Sequence, residues 1–163
     1  MDLDALLAAR TAGWSDDTRV ALSGLIAVLR PSARHLADIL DWLEDIAARD
    51  RAVPGAVLAD PELRAIAASG SSAPERLKRW KERLRRVRYP RLAARETVLA
   101  EQIRAMACGP AVVITPPAGL EGGVVTVTMR VRSASDLGDA IERLRAGIAR
   151  GDVVRLFALL DET

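Results

Sequence analysis

Residues 72–91 read SAPERLKRWKERLRRVRYPR, and the fold turns on how that stretch is taken. Ser72 and Glu75 stand at capping-box spacing, and Tyr89-Pro90 breaks whatever helix precedes it. The stretch therefore predicts a helix from the cap to about Arg88. At about 100° per residue, Leu77, Trp80, Leu84 and Val87 form one narrow apolar stripe. Arg76, Arg79, Arg83 and Arg86 line one flank, and Lys78, Lys81, Arg85 and Arg88 line the other. Glu82 lies opposite the stripe. Such a helix packs through its stripe and keeps its cations around the rest.

Moving towards the N-terminus, Ser71–Pro74 reads as a short linker and hinge. Asp60-Pro61-Glu62 is a helix start, with a cap, a proline at the first helical position and an acid behind it. That helix ends near Ser69-Gly70. Val53-Pro54-Gly55 is a break, with a short turn after it. Ser32 caps a helix with the cleanest periodicity in the chain: Leu36, Ile39, Leu40, Leu43, Ile46 and Ala47 on one face. Its acids Asp38, Asp41 and Asp45 fall behind that face, so stripe-to-stripe packing is expected to hold them away from the arginines. Ser15, followed by Asp16 and Asp17, caps an earlier helix carrying Leu22, Leu25, Ile26 and Leu29. Leu3–Arg10 reads as a weak first helix.

Moving towards the C-terminus, Pro90 opens a helix with Leu92, Leu99, Ile103 and Met106 as its buried stripe, stopped by Cys108-Gly109-Pro110. The texture then changes. Ala111–Thr115 is β-branched, and Val124–Arg132 alternates, with Val125, Val127, Met129 and Val131 on one side. The loop between them is rich in Pro and Gly, which gives a long-looped hairpin. Ser133 or Ser135 caps a helix with a core stripe of Leu137, Ile141, Leu144 and Ile148. Gly151-Asp152 turns the chain into a last helix ending at Leu160. The expected class is α+β, mostly α: a helical N-terminal two-thirds and a C-terminal ββαα unit with a small antiparallel hairpin. The division expected is residues 1–70 and 71–163, as one compact domain hinged near 70–74.

The bulk numbers narrow the function classes. The chain has 163 residues, half of them apolar and 28% charged, which is a globular balance rather than a disordered one. A single cysteine, Cys108, excludes an internal disulfide and fits a reducing compartment. The start Met1-Asp2-Leu3-Asp4 is acidic where a signal peptide is basic, and no apolar run is long enough for a bilayer. The expectation is a cytoplasmic protein without membrane contact, and the Arg and Ala bias suggests a bacterium. Between residues 76 and 95 there are ten Arg or Lys and one acid, so that segment is +9 and the rest of the chain −7.

That asymmetry points to a charged partner or to internal pairing. Arginine forks at helical spacing can follow a phosphate backbone, and the residues expected to do so are Arg76, Lys78, Arg79, Lys81, Arg83, Arg85, Arg86, Arg88 and Arg91. DNA is favoured over RNA because Trp80 and Tyr89 are too few for a stacking platform. The alternative is an adaptor or oligomerisation module. It would bind an acidic protein through the seam of the basic helix, or a second copy through the sheet edge at Val124–Arg132. A plain solvated helix face also accounts for the charges.

No catalytic set stands out, no cofactor is implied, and no metal site is expected. His35 is the lone histidine and reads as a core-edge residue beside Trp42. Cys108 sits at the wrong helix end for a reactive thiolate. Gly119-Leu120-Glu121-Gly122 matches the GXXG string of KH domains, but it joins two strands and serves a hairpin loop equally well.

Overall fold

The computed structural model describes residues 3–161; Met1 and Asp2 of the acidic start lie outside them. The order is α1 (Leu3–Arg10), α2 (Asp16–Leu29), α3 (Ala33–Asp50), α4 (Pro54–Leu58), α5 (Pro61–Ala67), α6 (Ala73–Arg88), α7 (Pro90–Ala105), β1 (Val112–Thr115), β2 (Thr126–Met129), α8 (Ala134–Ala149) and α9 (Asp152–Asp161). This is the mostly helical α+β class with a small two-stranded antiparallel sheet. The chain divides into two compact units, residues 1–90 and 91–163.

In the first unit α2, α3, α5 and α6 each start where a short polar side chain supplies the acceptor that the first turn lacks. The hydroxyls of Ser15, Ser32 and Ser72 accept from the N–H of Thr18, His35 and Glu75. The Asp60 carboxylate accepts from the Leu63 N–H at 2.9 Å. The six residues of the α3 stripe are all buried and form the centre of the core. Leu77, Trp80 and Leu84 of α6 join them, with Val87 partly buried beside them. The seam of the basic helix is therefore part of the core of its own unit, which corrects the expectation that an outside partner could use it.

The expected hinge at 70–74 is instead a tied link. The Arg76 guanidinium donates to the carbonyls of Ser69 (3.2 Å), Ser71 (2.5 Å) and Val28 (3.0 Å). Val28 lies in the last turn of α2, whose carbonyls lack intrahelical partners. One side chain thus holds the end of α2 and the α5–α6 link to the start of α6. The basic helix belongs with the helices before it, and the boundary between units falls at Pro90.

In the second unit β1 and β2 pair antiparallel, Val112 opposite Met129 and Ile114 opposite Val127. Val112 and Ile114 are buried with Leu99, Met106, Cys108, Leu156 and Leu160. The hairpin loop carries glycines in the left-handed region, and Leu120 adopts it too (φ 62°) while burying its side chain. The GXXG string is thus the loop that pins the hairpin to its core. Ser133, rather than Ser135, caps α8 by accepting from the Asp136 N–H at 3.0 Å.

Candidate interaction surfaces

The nine candidate cations meet four different fates. Lys81 and Arg88 lie on the flank of α6 that faces α3. Along α3, Asp38, Trp42, Asp45 and Arg49 share one shoulder, at spacings of four, three and four residues. Lys81 Nζ reaches Asp38 at 2.7 Å, and Arg88 reaches Asp45 at 2.5 Å. Both cationic ends lie over the Trp42 ring, Lys81 Nζ at 5.3 Å and Arg88 Cζ at 5.7 Å from its centroid, a favourable placement for a cation. Arg49 answers from α3, donating to the last carbonyls of α6, Val87 at 2.8 Å and Arg88 at 2.7 Å. The expectation that Asp38 and Asp45 face away from the basic helix is overturned. A helical wheel shows where a side chain leaves the axis, but not how far a lysine or arginine stem reaches. Asp41 does point elsewhere: with Glu44 it holds Arg10 of α1, at 2.7 Å each.

On the other flank Arg83 meets Asp60 at 3.1 Å and Glu62 at 3.0 Å, both at the start of α5. Asp60 thus caps α5 and ties it to α6. Arg85 and Arg86 share Glu82 along α6 itself, at 3.2 and 3.5 Å. Arg76 is committed to backbone carbonyls, as described. Lys78 and Arg79 are exposed and have no ion-pair partner among the described residues. Arg91 is also exposed, but it lies in the second unit.

The carboxylates register these contacts. The Lys81 ammonium holds Asp38 below the usual range, and Arg85 does the same for Glu82. At Asp60 burial pushes upward, but the Leu63 N–H and Arg83 together outweigh it and the pKa falls. The outward face of α6 then reads Glu75, Lys78, Arg79, Glu82, Arg86, a mixed strip with a small positive excess. His35 is exposed on α3, and lines a shallow groove with Trp42, Leu77 and Lys81.

The second unit carries a different kind of surface, which the sequence reading missed. In α8 the buried residues are Ala140 and Gly147, with Leu144 partly buried. Leu137, Ile141 and Ile148, expected in the core, are 40%, 47% and 56% exposed. The small residues let α8 lie close to its neighbours. At Gly147 an added Cβ would already touch Met106 Cε, at 3.8 Å. The helix is therefore rotated so that its large side chains face outward. Val124 and Val154 are exposed as well, at 71% and 72%. The alternation Ala140/Gly147 was visible in the sequence, but only as an absence of bulk.

Cys108 is buried, and burial pushes its thiol pKa up. Asp152 is buried between Arg155 (2.5 Å) and Arg150 (2.9 Å), and the Arg155 contact leads in holding its pKa low. Among the described residues no helix is long and apolar enough to cross a membrane, and no three His, Cys, Asp or Glu side chains come together as a metal site. Comparison with known proteins finds no matching family model, no matching curated protein and no matching solved structure.

Proposed function

We propose that the protein is a non-enzymatic interaction module of the cytoplasm, an adaptor that engages a protein partner through the outer face of its second unit. One observation carries the reading: Leu137, Ile141 and Ile148 face solvent on a well-capped helix whose small residues face the core. Monomeric proteins scatter single apolar residues over their surface, and a row of large ones at helical spacing marks an interaction site. The open edges of the two-stranded sheet offer a neighbouring route for strand pairing in the same unit.

The test is thermal unfolding of a Leu137→Gln/Ile141→Gln/Ile148→Gln variant in dilute solution. A docking row leaves the midpoint within a few degrees of wild type, as surface substitutions do. Loss of the cooperative transition would place these residues in the core and sink the reading.

A second reading rests on Lys78 and Arg79. These two cations, with Arg86 beside them, support weak contact with nucleic acid, duplex DNA ahead of RNA, or with an acidic protein surface. The commitments of Arg76, Lys81, Arg83, Arg85 and Arg88 inside the first unit leave three of the eight α6 cations for phosphate, with Arg91 as an exposed fourth beyond the helix. Fluorescence anisotropy with a labelled duplex at low salt tests it: Lys78→Glu/Arg79→Glu is expected to abolish binding, and undiminished binding in that variant would remove the reading.

A further inference from the structure

We infer that the partner of the α8 surface is a second copy of this chain, docked antiparallel, α8 against α8. The inference rests on the interaction-module reading and names its partner. Leu137, Ile141, Leu144 and Ile148 are spaced four, three and four, the seam of a two-helix coiled coil. Charge along α8 is split: Asp136 and Asp139 lie in the first half, Glu142 just past the midpoint, and Arg143 and Arg145 behind it in the second. A parallel copy would bring like halves together. An antiparallel copy sets acidic half against basic half at both ends, which is the self-complementarity a two-fold interface requires.

The border of the seam carries the specific pair. Glu142 and Arg145 are 70% and 77% exposed and only loosely joined within the helix, at 3.6 Å. With Leu137 of one copy opposite Ile148 of the other, Glu142 falls about two residues along the axis from the partner's Arg145. The contact repeats by symmetry. The second unit has nine basic and nine acidic residues, so no net field opposes a second copy. One face of a sixteen-residue helix falls at the small end of specific interfaces, so a weak dissociation constant, in the micromolar range, is expected.

Sedimentation velocity of the full chain from about 1 to about 200 μM tests this across that constant. The expected result is a monomer–dimer equilibrium. Glu142→Arg alone and Arg145→Glu alone each weaken it about tenfold or more, since each sets like charges across the seam. An equimolar mixture of the two variants restores dimer, because only in the mixed species does each reversed charge meet its opposite across the seam. A wild-type chain that stays monomeric at every concentration overturns the inference. So does a dimer that ignores both reversals, as pairing through the sheet edge or the first unit would. The interaction-module reading fails separately, if the triple Gln variant loses its fold.

Discussion

Replacing Asp38 and Asp45 by Asn removes the two acids with which α3 holds the basic helix, while keeping side-chain shape. The Lys81–Asp38 and Arg88–Asp45 contacts are short, 2.7 and 2.5 Å, but their side chains are 20–54% exposed. Exposed pairs contribute roughly 0.2–1 kcal/mol each. Lys81, the least exposed of the four, puts its pair in the upper part of that range. The two sites share Trp42, so their effects need not add fully. The expected loss is about 1–1.5 kcal/mol, or a midpoint lower by about 5–10 °C for a unit of roughly 90 residues. All three tryptophans, Trp14, Trp42 and Trp80, lie in the first unit, so tryptophan fluorescence follows this unit alone. In about 1 M salt, where charges are screened beyond about 3 Å, the gap between variant and wild type should shrink. A variant that melts within about 1 °C of wild type at low salt, on the order of 10 mM, would refute the argument that these acids clamp α6 to α3.

Three other outcomes follow from the same contacts. Trp80→Ala removes a side chain only 1% exposed in the first core; the expected loss is about 3–5 kcal/mol, read from the urea midpoint of Trp42 and Trp14 fluorescence, and a loss under about 1 kcal/mol would contradict its core role. Asp38, Asp60 and Glu82 have lowered pKa values in the folded chain, so the unfolded chain binds more protons on acidification. Their stabilisation is complete above about pH 5 and fades as pH falls through about 4 and below; urea unfolding at about pH 3 should need less denaturant than at about pH 7, and the reverse order would contradict the pairing. Cys108 is buried with a raised thiol pKa, so a thiol reagent should label it slowly in the native protein and promptly in denaturant; fast native labelling would show the second core is open.

Local signals in the sequence carried most of the fold. Ser15, Ser32, Asp60 and Ser72 cap the helices they were read to cap, and the α3 stripe is buried residue for residue. The β1–β2 hairpin and the helix after it are marked by β-branched runs and a serine cap, but the side of β2 that alternation assigns to the core is not a buried face, since Val127 and Val131 are 43% and 37% exposed. Tertiary direction was harder to read. Periodicity showed that α8 has an apolar stripe, but burial of that stripe depends on what packs beside it, and Ala140 with Gly147 offers a closer approach. The charges of α6 were read as vectors from a wheel, whereas the stems of Lys81 and Arg88 extend past Trp42 to acids on the shoulder of α3. The division falls at Pro90 rather than near 70–74, and Arg76, read as a phosphate ligand, ties backbone carbonyls across the 70–74 link.

The claim beneath both functional readings is that the basic helix is neutralised mostly inside its own unit. The dependence of duplex-DNA affinity on salt tests it most directly, because the slope counts the phosphates that cations neutralise. With Lys78, Arg79 and Arg86 of α6, and Arg91 beyond it, the exposed members of the row among the described residues, the expected slope of log affinity against log salt is about −3 to −4, on weak binding. A slope near about −8 would mean that all nine cations reach phosphates, and would contradict the account.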